Sequence, residues 1–426
     1  MTDQSVMHAR AASAATSSAG DAIVVGGGVI GLGIAWRAAL GGLQVTLTDE
    51  TPGRGASWAA AGMLAPVTEV HYGEQALLRL NLAAAARWPA FVAELQESAR
   101  ASVGYRRCGT LIVARDTDDN AAIEALYRFQ RGLGLNVERL RGRDCRRLEP
   151  GLAPSVRGGI MAPSDHQVDN RALVAALLVA CDRAGVRRHP GRVAAIRVER
   201  DRVRGVVLAG GQTLHAPTVV LSAGCWSGTL GGLPPGVLPP VRPVKGQLLH
   251  LRGPVDEPLC ERNVRGLEVY VVPRGDGRVV IGATVEEQGF DTTITAGAIH
   301  DLLRAALELL PEVTELELVE TVAGLRPGSP DNAPLLGPSQ LEGLVIAAGH
   351  YRNGILLTPV TADAMAELLV TGRVPEAIAR FSPRRFVPAG DGGDPPSRLP
   401  REVAAAEVGL PRGQAGVGGT EGGLPP

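Results

Sequence analysis

Gly26, Gly28 and Gly31 stand in G-x-G-x-x-G spacing, and Asp49 lies 23 residues after Gly26. The chemistry open to such a set is the holding of a dinucleotide. Gly26 permits a tight turn, Gly28 leaves the backbone bare for a pyrophosphate, and Gly31 lets a helix pack close to a strand. Asp49 is placed to accept a ribose hydroxyl. These residues need a strand before them, a helix after them and a second strand ending at the acid. Ala22–Val25 is an apolar run of strand type. Leu32–Leu40 reads as a helix stopped by Gly41 and Gly42, and Leu43–Thr48 turns Val45 and Leu47 inward. The N-terminus of that helix would present unpaired N–H groups to phosphate. The stretch does not separate FAD from NAD, since both use it.

Other stretches extend the same reading. Pro52–Pro66 (PGRGASWAAAGMLAP) has few large side chains, as a backbone lying against a flat cofactor requires. Thr218–Gly224 is an apolar strand ending in Ala-Gly, which lets a ligand approach its carboxyl end. Gly343–Ala348 is another apolar strand; it runs into Gly349–Gly354, and a helix follows from near Pro359 to about Leu369. That turn is a second place for N–H groups to face a ligand.

The intervening chain supplies supporting elements. Leu77–Ala99 has the spacing of one or two helices, and Asp118–Leu133, Arg143–Glu149, Arg171–Ala184 and Gly297–Leu310 read as helices. Arg192–Glu199 and Arg204–Leu208 form a hairpin. Leu233–Pro240 is a Pro-rich linker. Val241–Leu251, Leu267–Pro273 and Arg278–Thr284 suit a mostly antiparallel sheet, and Glu315–Ala323 is a strand running into Gly324–Gly328. The fold class is α/β: a doubly wound domain from 21–100, 150–235 and 324–380, and a mixed, mostly antiparallel domain from 101–149 and 236–323. Residues 1–20 and 382–426 are expected to be disordered, the latter because 8 Pro and 10 Gly follow Ser382.

Composition excludes several classes. With 43 basic and 44 acidic residues the net charge is −1, which gives no electrostatic case for nucleic acid or an anionic membrane. The five cysteines show no C-x-x-C pair and no metal-ligand spacing, so reduced thiols and a cytoplasmic location are expected. The first twenty residues lack a signal peptide's apolar core, and no run approaches the ~20 apolar residues of a membrane span. His166 reads as structural.

Together these stretches resemble the D-amino-acid oxidase family of FAD enzymes, and within it the glycine oxidase branch. The resemblance rests on IVVGGGVIG (23–31), AAAGML (59–64), VVLSAGCWSG (219–228), VKG (244–246), YVVPR (270–274), VIGAT (280–284), AGLRPG (323–328) and AAGHYRNGILL (347–357). It implies non-covalent FAD, a homo-oligomer (often a tetramer), a small amino-acid substrate and O2 as acceptor. The implied reaction takes glycine to iminoglycine, with sarcosine and small D-amino acids accepted, and hands the imine to thiazole synthesis for thiamine. A D-amino-acid or sarcosine dehydrogenase passing electrons to a quinone shares most of these motifs.

The resemblance also implies residue roles. Val29 and Ile30 fall at the pyrophosphate, with Asp49 and Glu50 at the adenosine ribose. Ala56, Ser57, Ala61, Gly62 and Met63 fall near the phosphates and flavin, Val193 on the adenine side, and Gly224 at the strand end facing the cofactor. His350, Tyr351, Arg352, Asn353, Gly354, Ile355 and Leu356 run along the flavin ring. Arg326 matches the carboxylate-binding arginine, Tyr270 a tyrosine beside that carboxylate, and Arg352 an arginine lining the site. No side chain is nominated as acid or base, and His350 is expected to position its turn. Glu268 and Val285 replace a His and a Met that flank the family's site, which bears on substrate choice.

Overall fold

Ala22–Val25 (β1) is buried along its whole length, and Ile23, Val24 and Val25 alternate between two cores. Val24 faces helices, while Ile23 and Val25 face the opposite layer. A strand covered on both sides sits in the middle of a parallel sheet. Accordingly β1 pairs in parallel with Thr218–Leu221 on one side and with Val45–Asp49 (β2) on the other. The sheet has six strands, in the order Leu335–Pro338, Leu344–Ala348, Thr218–Leu221, β1, β2, Arg187–Pro190. The computed structural model describes residues 20–386 except Pro235. The expected disorder of 1–19 and 387–426 lies outside the described residues.

One face of this sheet is covered by four helices: Val29–Leu40 (α1), Gln75–Ala99, Asn170–Arg183 and Gly354–Thr371. The other is covered by a three-stranded antiparallel sheet of Val193–Glu199, Arg202–Leu208 and Thr213–His215. Gly33 of α1 lies so near the helix Gly354–Thr371 that a Cβ there would stand 3.1 Å from the Ala362 methyl. The two helices therefore pack almost backbone to backbone.

The second sheet has eight strands, in the order Glu317–Gly328, Arg242–Arg252, Arg278–Gly282, Tyr270–Pro273, Asn263–Arg265, Thr110–Ala114, Gly158–Ala162, Glu138–Arg141. All neighbours are antiparallel except Asn263–Arg265 with Thr110–Ala114. Its register explains the glycines of the VKG and VIGAT stretches. Val244 pairs with Arg326, Gly246 with Gly324, and Leu248 with both Val322 and Gly282, which in turn pairs with Tyr270. Side chains alternate along a strand, so Arg326, Gly246, Leu248, Gly282 and Tyr270 share one face.

Several elements differ from the sequence reading. The last long helix begins at Gly354, not near Pro359, and holds Pro359 in its interior. Thr358 Oγ1 donates to Gly354 O at 2.9 Å, and Trp88 Nε1 donates to Leu356 O at 2.8 Å, so side chains serve early carbonyls of that helix. Gln75–Ala99 is one helix despite Pro89. By length and composition, the segment Tyr351–Thr371 could cross a membrane, contrary to the expectation that no run comes close; here it is 61% buried among the other helices. Gly158–Ala162 belongs to the eight-stranded sheet, although 150–235 was assigned to the doubly wound domain. The proposed boundary at 324 falls inside a strand. Ser382–Arg385 is ordered: Arg384 donates to Ser339 O and Arg385 pairs with Asp331 at 2.9 Å.

Candidate active site

A cavity of about 660 Å³ runs from the carboxyl ends of β1 and β2 to the shared face of the eight-stranded sheet. That volume lies within the ~300–1,000 Å³ of small-molecule sites. At one end it is lined by Asp49, Glu50, Arg192 and Val193, and at the other by Tyr270, Arg326 and Arg352. The residues expected to hold cofactor or substrate all line it except Gly31. Gly31 works from behind the wall: a Cβ there would stand 1.9 Å from Gly26 O.

The nucleotide end follows from backbone geometry. Gly26 has φ +103°, and a Cβ on it would meet Ser222 O at 2.4 Å. The N-cap of α1 is Gly28, which carries no side-chain cap, and the first turn of α1 has no acid. Val29 N donates to Ser57 Oγ at 3.1 Å, tying the small-residue loop to the turn. Asp49 holds the same turn, its Oδ2 accepting from Gly27 N at 2.6 Å and its Oδ1 from Thr51 N at 2.7 Å. Each carboxylate oxygen has a second lone pair, so Asp49 can clamp the turn and still accept a hydroxyl.

The opposite wall is the turn after Leu344–Ala348. Gly349 and Tyr351 both have positive φ, +71° and 46°, and Asn353 caps the helix Gly354–Thr371 without a side-chain hydrogen bond or a first-turn acid. A non-glycine residue in the left-handed region at a cavity wall is backbone strain of the kind that gathers at functional sites. His350 is buried, its Nε2 3.2 Å from Thr361 Oγ1, and burial pushes its pKa down to about 3. The ring is therefore neutral near pH 7.

The loop Ala61–Met63 is held by a residue whose role the sequence reading left unassigned. Arg274, the last residue of YVVPR, is buried and donates to Ala61 O at 2.7 Å, Val168 O at 3.1 Å and Gln167 Oε1 at 2.6 Å. Burial pushes its pKa down to about 10. Gly62 must lack a side chain, since its Cβ would fall 2.0 Å from Val168 O.

At the far end, Arg326 lies within a strand, anchored by Nη1 to Lys245 O (3.2 Å) and Thr284 O (3.1 Å). Tyr270 lies over Gly282, where a Cβ would meet its Oη at 2.4 Å. Burial raises the Tyr270 pKa against the opposing pull of Arg326, so the phenol stays a hydrogen-bond donor. Glu69 also lines this end, and the sequence reading missed it. Its one sequence signal is an acid placed six residues after Met63 in a stretch otherwise poor in charge. Burial alone would raise its pKa, but Arg265 and Arg352 outweigh burial and hold it below the usual carboxylate range. Glu268 and Val285, expected to flank the site, do not line the cavity. Glu268 is half-exposed and 3.9 Å from Arg115, and Val285 is 57% exposed.

FAD fits these residues. Two helix N-termini with no acid in their first turns open on one long cavity, at positions suited to a pyrophosphate and to an electron-rich ring. Glycine stands where the backbone must be bare, and the acids Asp49 and Glu50 sit at the end opposite Arg326 and Arg352.

Comparison with known proteins agrees. The family described as FAD dependent oxidoreductase (DAO) matches residues 21–368. A glycine oxidase of Geobacillus kaustophilus is 35% identical over 371 residues, covering 86% of this chain and 97% of that protein. Its species' solved glycine oxidase structure superposes with a TM-score of 0.81 at 34% identity, covering 87% of this chain and 100% of that one. A bifunctional ThiO/ThiG protein of Synechocystis sp. is 37% identical over 375 residues, covering 86% of this chain but 54% of the relative. The chain thus spans about half the length of the bifunctional relatives it matches.

Proposed function

The chain belongs to the DAO family of FAD-dependent oxidoreductases, and on that premise we propose that it oxidises glycine to iminoglycine, which hydrolyses to glyoxylate and ammonia. Dioxygen takes the two electrons and leaves as H2O2. Sarcosine and small D-amino acids are further substrates, and the imine supplies the thiazole ring of thiamine. The observation that carries this reading is Arg326 beside Tyr270 on one wall of the cavity that the nucleotide-binding turn opens into.

An α-amino acid needs its carboxylate fixed, its amine neutral and its α C–H aimed. Guanidinium binds carboxylate through two parallel hydrogen bonds, which sets direction as well as charge. Arg326 does this, held in place by the carbonyls of Lys245 and Thr284. Tyr270 adds a hydroxyl donor, and Arg352 closes the side next to the turn 349–354. FAD, when bound, supplies the two-electron acceptor. With the amine unprotonated no side-chain base is required. The N-terminus of Gly354–Thr371 directs partial positive charge into the cavity, where negative charge grows during the reaction.

The homo-oligomer and the hand-off to a thiazole synthase belong to the same proposal; the second is supported by relatives named as ThiO/ThiG fusions. Five free thiols fit a cytoplasmic setting. The test is purified holoenzyme, glycine and air, without quinone. H2O2 and glyoxylate in equal amounts support the proposal. Flavin that bleaches with glycine but is reoxidised only by a quinone would make the protein a dehydrogenase.

A further inference from the structure

Glu69 is the one acid lining the substrate end of the cavity; the other lining acids, Asp49 and Glu50, lie at the nucleotide end. Its place is fixed from behind. Asp165 is fully buried and accepts from Val67 N at 3.0 Å, Thr68 N at 2.8 Å and Thr68 Oγ1 at 2.6 Å, so the residues leading into Glu69 cannot swing. The Glu69 side chain is 13% exposed and paired with Arg265, and Arg352 Nε stands 3.9 Å away. Among the described residues no other carboxylate lies within 4.0 Å of either arginine.

Arg265 and Arg352 both meet Glu69, while Glu74, which also interacts electrostatically with Arg352, does not line the cavity. Arg326 takes one substrate carboxylate, and without Glu69 the nearby Arg352 would attract a second. With Glu69 ionised, a second carboxylate approaching Arg352 meets a fixed negative charge. An ammonium arriving with the first carboxylate meets an attractive one. We infer that Glu69 is the charge selector of the substrate end, admitting zwitterions with one carboxylate and rejecting amines that carry a second. It acts on the substrate's charge directly and on Arg352 by position. The inference rests on the reading of Arg326 as the carboxylate anchor.

The test compares acetate with malonate, and glycine with iminodiacetate, on FAD-loaded protein. Affinity for the two dead-end anions is read from the flavin absorbance shift, which needs no turnover. Glu69→Gln keeps the shape and removes the charge. The malonate-to-acetate affinity ratio should rise roughly tenfold or more, as a unit charge a few ångströms away at an effective dielectric near 20 requires. kcat/KM for iminodiacetate relative to glycine should rise with it. Glu69→Asp, which keeps the charge, should hold both ratios near wild type. Arg265→Gln frees the Glu69 carboxylate and should move them the other way, and it serves as the reporter if Glu69→Gln fails to load FAD. Unchanged ratios in the loaded variants would overturn the inference. Ratios that shift in a protein whose flavin glycine does not reduce would overturn the reaction proposed above and not the charge selector.

Discussion

Gly246 lies directly beneath the Arg326 guanidinium: a Cβ on residue 246 would stand 2.2 Å from Nη1 and 2.4 Å from Nη2. The two are on neighbouring antiparallel strands, with Arg326 paired to Val244 and Gly246 to Gly324. The guanidinium can lie flat on the sheet and reach the Lys245 and Thr284 carbonyls because nothing projects at 246. Gly246→Ala should therefore lift Arg326 off its anchors. The expected result is a loss of about 1.4 kcal/mol or more in glycine kcat/KM, tenfold, mostly in KM, with FAD content unchanged. Steady-state kinetics with flavin quantified per chain checks it; unchanged kinetics would show that Arg326 does not need that surface.

The Ser57 hydroxyl accepts from Val29 N at the start of α1, where Gly28 offers no side chain. Ser57→Ala removes this cap. Comparable caps are worth about 1 kcal/mol, so FAD affinity should fall about fivefold. Fluorescence titration of apoprotein with FAD measures it. Tighter or equal binding would mean that the loop 56–63 and α1 are held together by other contacts.

His350 predicts a stability slope with pH. Burial holds its folded-state pKa at about 3, below the ordinary 6.5. The folded protein therefore favours the neutral ring. The resulting stability is complete above about pH 6.5 and is lost as pH falls toward 3, by up to about 1.4 kcal/mol per pH unit. His71 and His250, each pushed down to about 4 chiefly by burial, act in the same direction. Denaturant unfolding at pH 7.5 and pH 5 should show the loss. His350→Asn, which takes no proton, should shrink it; equal slopes in both proteins would contradict a buried neutral His350.

The nucleotide end was legible in sequence because its determinants are local. Gly26, Gly28, Gly31 and Asp49 act within one strand–helix–strand unit, and each requirement falls at a fixed offset. The strands Arg187–Pro190, Asn263–Arg265 and Leu335–Pro338 were not legible. They are only three or four residues long, too short to show a period, and Arg187–Pro190 and one side of Asn263–Arg265 pair with strands far away in the chain. The start of the last helix was misplaced because Pro359 signals a first turn, whereas Thr358 and Trp88 bond carbonyls at the start of this helix. Glu69, Arg265 and Arg274 escaped for a different reason. Their meaning lies in what they touch across long separations: Arg265 meets Glu69 from 196 residues away, and Arg274 meets Ala61 from 213. Glu268 and Val285 show the converse. Glu268 lies in the bend before Tyr270–Pro273 and Val285 in the loop after Arg278–Gly282, so neither is held to the sheet's alternation and both are exposed.

Arg326 carries the central claim, and one substitution isolates it. Arg326→Met keeps much of the side-chain volume and removes the fork. Rapid-mixing flavin reduction by glycine under nitrogen, on protein of wild-type FAD content, reads the substrate step without the oxygen reaction. The account predicts a loss of about 1.5–3 kcal/mol in the second-order rate of reduction, from about tenfold to more than a hundredfold. A variant that reduces its flavin with glycine at the wild-type rate would contradict it.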